Sequence, residues 1–136
     1  MKLVDLTEFY SQRGGGVRSH LSGKGHVSCQ WGHTHWVIAP GPELTRVADV
    51  DAASAGGTST ILHVGGPPLP YDPTYHLMWR AARVRGLVKR IGPDVLEIHS
   101  PYVAAVAGLS APCTSFAIRT FVWSPNIIHS HLFSRF

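Results

Sequence analysis

Leu3-Val4-Asp5-Leu6, followed by Phe9-Tyr10-Ser11-Gln12-Arg13-Gly14-Gly15-Gly16-Val17-Arg18-Ser19-His20-Leu21, is the stretch that decides the fold. A short apolar run feeding a glycine-rich turn that opens into a helix leaves backbone N–H groups and the positive end of the helix dipole aimed at one spot. Glycines also let a ligand come close to the backbone. The pattern predicts an anion site, for phosphate above all, with a flexible turn as the plain alternative. Its spacing is neither G-x-G-x-x-G nor G-x-x-x-x-G-K-[ST], so neither NAD nor P-loop chemistry is licensed.

Outward from this stretch, Lys2 to Thr7 reads as a strand whose nearly continuous apolar positions suit burial on both faces. Val17, Leu21, Val27 and Trp31 fall roughly on one helical face, Gly23 and Gly25 weaken that helix by about 1 kcal/mol each, and Gly32 ends it. His33 to Pro40 is a second strand closed by Pro40-Gly41-Pro42. Strand, helix and strand in this order make a βαβ unit, the building block of a parallel sheet. Thr45 to Val50 and Ser59 to Val64 then read as two short strands around Gly56-Gly57, a hairpin-like excursion or a loop.

Asp72-Pro73 is a capping aspartate and first-turn proline for a helix from Thr74 to Arg90. Tyr75, Met78, Trp79, Ala82, Val84 and Leu87 supply its apolar face, and Arg80, Arg83, Arg85, Lys89 and Arg90 a solvated one. Gly92-Pro93 stops it. Asp94 to His99 is a buried strand, Val103 to Leu109 a short helix and Ala117 to Trp123 the last strand. Asn126 to Phe136 starts a helix with no partner. The last strand is thereby expected to be an uncovered, aggregation-prone edge. The expected class is α/β, a Rossmann-like parallel sheet with helices on both faces.

Composition narrows the function classes. The 136 residues are 44% hydrophobic and 15% charged with a net charge of +4, which suits one domain and lacks the clustered basic stripe of a nucleic-acid binder. Cys29 and Cys113 lie far apart with no C-x-x-C, so buried reduced thiols are expected rather than a disulfide framework or zinc ribbon. Asp5 and Glu8 interrupt any signal-peptide core, and Val103 to Ile118 is too polar to span a membrane. The expected compartment is the cytoplasm. The pairs His33-x-His35 and His129-x-His131 have zinc-ligand chemistry, but His33 and His35 share a face only on a regular strand, and no metal is expected.

Ligands of open parallel sheets sit outside the carboxyl ends of the strands. Two polar strand exits meet that rule: the glycine loop, and Glu97-Ile98-His99-Ser100-Pro101-Tyr102. His99 can hydrogen-bond a substrate hydroxyl or phosphate oxygen there, or merely cap local backbone.

Three motifs in order, Phe9-Tyr10-Ser11 with Gly14 to Leu21, Gly32-His33-Thr34-His35-Trp36-Val37-Ile38-Ala39-Pro40, and Pro93-Asp94-Val95-Leu96-Glu97-Ile98-His99-Ser100-Pro101-Tyr102, resemble the N-terminal domain of the GT-B, family-four retaining glycosyltransferases. The resemblance spans residues 1–123, the acceptor-side Rossmann-like domain, with 124–136 a divergent tail. It implies hexose transfer from a nucleotide diphosphate sugar to a lipid, polyol or glycan hydroxyl, with no cofactor. Partners would be the sugar donor and hydroxyl acceptor, once a C-terminal domain is supplied, and a lipid acceptor would bring peripheral membrane contact. By motif position, Gly15 and Gly16 would approach the donor pyrophosphate, Tyr10 and Arg18 would reach toward the acceptor, and His99, the candidate catalytic residue, would lie near the transferred sugar. The family's donor-binding C-terminal domain has no counterpart in these residues, and from Ile98 to Phe136 there is no acidic side chain. A shortened or frame-disrupted member, inactive alone, is therefore expected. The alternative is a non-catalytic Rossmann-like module that binds a phosphorylated small molecule.

Overall fold

The computed structural model describes residues 1–11, 13–48, 57–110, 115–121 and 130–134. Its elements are β1 (Lys2–Leu6), α1 (Gly16–Gln30), β2 (Thr34–Gly41), β3 (Thr45–Ala48), β4 (Thr58–Gly65), α2 (Ala81–Ile91), β5 (Val95–Ile98), α3 (Val103–Leu109), β6 (Ser115–Phe121) and β7 (Ser130–Ser134). The sheet order is β3-β4-β2-β1-β5-β6-β7. β4, β2, β1, β5 and β6 run parallel, and β3 and β7 pair antiparallel at the two edges. This is the expected Rossmann-like α/β arrangement. From β1 the chain builds outward to β2 and β4, then returns to β5 on the other side, so the switch point lies between β1 and β5.

Alternation along the strands divides their side chains between two layers. Val4, Leu6, Ile38, Leu62, Val64, Leu96 and Ile98 pack with Val84, Leu87 and Val88 of α2 and Ala104 and Ala107 of α3. Val37, Ala39 and Ile61 face the other way and meet Leu21 of α1, with Tyr10 and Val17. Helices therefore cover both faces. Gly32 and Gly92 end α1 and α2 in the left-handed conformation, at φ 74° and 60°, as read from the sequence.

Several expectations need correction. β4 is no excursion: it does form a hairpin with β3, but it also pairs along its whole length with β2 in the parallel sheet. α2 starts at Ala81 rather than Thr74. The backbone before it is committed elsewhere, with Leu69 N–H donating to Tyr75 O at 2.8 Å and Leu77 N–H to Pro67 O at 2.9 Å. Asp72 does not cap that helix. Its carboxylate accepts from the Thr74 amide (3.0 Å) and hydroxyl (2.6 Å) in a local turn. On α1, Leu21 is buried, but Val27 and Trp31 are exposed and Gly25, Ser28 and Cys29 take the inner positions. The tail forms β7 instead of a helix and pairs with β6, so the expected bare edge at β6 is covered. Cys113 and His129 lie outside the described residues.

Candidate functional site

The loop after β1 and the loop after β5 flank the switch point and are stitched together. Glu8 N–H donates to Ser100 Oγ at 2.9 Å, and Glu8 Oε1 accepts from the Ala104 amide at the start of α3, at 2.6 Å. The rings of Phe9 and Tyr102 meet edge to face at 6.3 Å. Half-burial pushes the Glu8 carboxyl up, against the pull of the Ala104 and Val103 amides.

The glycine loop continues from there into α1. Gly14 and Gly15 have φ of 116° and 125°, and with ψ at 165° Gly15 occupies a region essentially closed to residues with a Cβ. The N-cap of α1 is Gly15, which has no side chain to satisfy the first-turn amides, and that turn borders a cleft of about 170 Å³ lined by Phe9, Ser11, Gly14, Gly15, Gly16, Val17, Arg18 and Tyr75. Ser11 closes the turn, with its carbonyl accepting from Gly14 N–H at 3.3 Å and its Oγ from Arg13 N–H at 3.3 Å. A helix N-terminus, glycine backbone and one guanidinium are the chemistry an anionic oxygen cluster needs.

Of the residues named from sequence, Gly15, Gly16 and Arg18 line this cleft. Tyr10 does not. Its side chain is buried on the α1 side of the sheet with its ring edge to face with His63 at 5.6 Å. His63 hydrogen-bonds the Pro40 carbonyl at 3.2 Å, and burial first, then the positive surroundings of His76 and Arg18, lower its pKa. His99 sits at the same carboxyl rim, at the end of β5, but its side chain is only 1% exposed and turned onto β1.

There it joins a buried cluster that sequence reading did not single out. Asp5 Oδ1 receives His99 Nε2 at 2.6 Å and Lys24 Nζ at 2.7 Å, and Asp5 Oδ2 receives His35 Nε2 at 2.6 Å. Lys24 Nζ also reaches Glu97 Oε2 at 2.6 Å, and Ser59 Oγ lies 2.9 Å from His35 Nδ1. Register explains the meeting, since Asp5 lies directly opposite Glu97 on β5, and α1 lowers Lys24 between the two carboxylates. Complete burial would push the Asp5 carboxyl up, but the His35 and His99 hydrogen bonds and the Lys24 ammonium outweigh it and hold it well below the usual carboxylate range.

Asp5, Glu97 and His99 also present donor atoms within 4.8 Å of one another, a set of the kind that binds a divalent cation. The Lys24 ammonium already bridges the two carboxylates, so the cluster carries its own cation. Ser59, His35 and Asp5 have the connectivity of a hydrolase triad, yet Ser59 is 5% exposed and His35 and Asp5 fully buried, which leaves no approach for a substrate. The pair His33-x-His35 is split. His35 belongs to the cluster, while His33 stands outside β2 with its ring 6.5 Å from Trp31.

One signal in the sequence points to this cluster. A carboxylate amid apolar residues in each of two buried strands, Asp5 and Glu97, cannot stay ionised without partners. A wider, largely apolar groove of about 600 Å³ follows α1 toward the amino ends of the strands, past Lys24, Val27, Trp31 and His33. Among the described residues no helix is long and apolar enough to cross a membrane. No protein-family model matches the chain, and no curated protein matches it.

Proposed function

We propose that the chain is the acceptor-side Rossmann-like domain of a GT-B, family-four retaining glycosyltransferase and that its glycine-loop cleft receives the phosphate end of a nucleotide diphosphate sugar. The observation that carries this reading is the cleft at the start of α1, whose N-cap is Gly15, lined by Gly14, Gly15, Gly16 and Arg18, beside the switch point of the sheet. Retaining transfer needs the leaving diphosphate stabilised and the acceptor hydroxyl oriented. Here the α1 amides and Arg18 would meet developing negative charge, and the joined loops after β1 and β5 would frame the acceptor side. Donor sugar and ribose are held in that family by a C-terminal domain, so these residues alone are expected to bind without transferring.

The test joins this chain to the C-terminal domain of a retaining GT-B enzyme and follows nucleotide release from a panel of sugar donors with a hydroxyl acceptor. Release by the fusion and none by the chain alone is expected. Turnover by the chain alone, or no turnover by a fusion whose C-terminal half still binds donor, overturns the proposal.

A second reading, a non-catalytic module for a phosphorylated small molecule, is favoured by one observation: the lining of the cleft includes neither His99 nor Tyr10. It expects a fusion that binds donor through the cleft and never transfers sugar.

A further inference from the structure

We propose that Asp5 is a positioning residue that fixes His99 in one tautomer, with its ring proton on Nε2, and that Lys24, Glu97 and His35 hold Asp5 in place to do so.

Donor and acceptor capacity places the ring protons. An ionised carboxylate only accepts hydrogen bonds. At 2.6 Å from Asp5 Oδ1, His99 Nε2 must carry the proton, and at 2.6 Å from Oδ2 so must His35 Nε2. In each neutral ring the lone pair then sits on Nδ1. For His35 that nitrogen accepts from the Ser59 hydroxyl at 2.9 Å, so the hydrogen bonds run in one direction from Ser59 through His35 to Asp5.

Asp5 has little freedom to present its oxygens otherwise. It is fully buried, and the Lys24 ammonium ties Oδ1 to Glu97 Oε2 on the neighbouring strand. The ring of His99 is held from the α1 side as well, by His20 at 6.2 Å edge to face. Helix α1 thus links two parts of the carboxyl rim: its first turn forms the cleft, and its later turns bring His20 and Lys24 against His99 and Asp5. With Nε2–H given to Asp5, His99 can only accept through Nδ1, so the group it suits is a sugar hydroxyl rather than a phosphate oxygen, reached when the rim around this 1% exposed side chain opens. A fixed carboxylate on the far nitrogen defines that acceptor. The positioning role rests on the family resemblance, which places His99 near the transferred sugar, whereas the tautomer stands on geometry alone.

The experiment is long-range proton–nitrogen NMR of the histidine rings in the full chain at about pH 8.5, above the ordinary imidazole range. Protonated Nε2 and lone-pair Nδ1 patterns are expected for both His99 and His35. In Asp5→Asn the amide offers one accepting oxygen and one donating nitrogen, so it cannot accept from both rings, and one of the two patterns must reverse. Lys24→Gln retains the carboxylate and is expected to leave His99 protonated on Nε2.

A wild-type His99 protonated on Nδ1, a folded Asp5→Asn variant with both patterns unchanged, or reversal at His99 in Lys24→Gln overturns the proposal. If Asp5→Asn does not fold, the wild-type pattern and Lys24→Gln decide it. In the active fusion, Asp5→Asn should lower kcat with little change in KM for the donor. A fusion that never transfers sugar, in a chain with the expected tautomers, would remove the glycosyltransferase reading and leave the tautomer assignment standing.

Discussion

On the face of the sheet covered by α2 and α3, the strands present Val4, Leu6, Leu96 and Ile98. On the face covered by α1 the same strands present Asp5, Glu97 and, at the end of β5, His99. Alternate residues of β1 and β5 thus serve two layers of opposite character. The apolar layer gains from area removed from water and tolerates repacking. The polar layer is stable only because each charge meets its counterpart, so loss of one member leaves others buried and uncompensated. A carboxylate placed in the strand beneath a candidate site, with partners drawn from three other elements, costs more to keep than a leucine would. The return is a histidine held at the rim in one orientation.

The comparison is broken most severely by Asp5→Ala. Removing the carboxylate strands Lys24 beside Glu97 and takes the acceptor from two imidazoles, and a loss of about 4 kcal/mol is expected by chemical denaturation. A loss under about 1 kcal/mol would mean that water or a rearrangement of α1 replaces Asp5. On the other face Leu96→Ala should cost about 3 kcal/mol, from lost burial plus the cavity left between α2, α3 and the sheet. Because the two layers share a strand pair, these two changes in one chain are also a test of independence. A sum that departs from additivity by more than about 0.5 kcal/mol would show the layers to be coupled through the backbone.

Gly15→Ala comes next, at about 2 kcal/mol, since the backbone there has a conformation that a Cβ strains while open space surrounds the new methyl. A neutral result in the same denaturation experiment would show that the loop relaxes into another turn.

The gentlest perturbation is mild acid. Burial lowers the pKa of His63, and that of His20 is lowered in the same direction, from the ordinary 6.5. The unfolded chain then binds protons that the folded one does not, and stability should fall as pH drops through 6.5. Asp5, depressed below its ordinary 3.8, adds a steeper loss only below that pH. Glu8, raised above 4.5, works the other way just above that pH and there partly offsets the histidine loss. Denaturation midpoints that stay flat from pH 7 to pH 5 would contradict the buried, neutral His63.

Local patterns carried much of this into the sequence. The run into the glycine loop, the left-handed Gly32 and Gly92, and the short helix from Val103 to Leu109 all follow from neighbouring residues, and each lies where its chemistry puts it. What was hidden depends on distant pairing. The β4 strand carries the same residues whether it is a hairpin arm or a sheet strand, and only its contact with β2 makes it the latter. The start of α2 moved because the Tyr75 carbonyl and Leu77 amide bond to residues 67–69, which helix propensity does not register. The tail paired with β6 for a similar reason.

The glycine loop was legible as a candidate site, whereas of the cluster beneath it only the two carboxylates in buried strands, Asp5 and Glu97, left a signal. Locally Asp5 is only a break in an apolar run, and its partners lie 19, 30 and 94 residues away along the chain.

The most direct test of the phosphate-cleft reading is an amide NMR titration of the chain with a nucleoside diphosphate, with inorganic pyrophosphate in parallel. Saturable shifts centred on Gly14, Gly15, Gly16, Val17 and Arg18, weakened by Arg18→Ala with the fold intact, are the predicted result. Shifts that do not saturate, or that gather instead along Val27, Trp31 and His33 in the apolar groove, would contradict it.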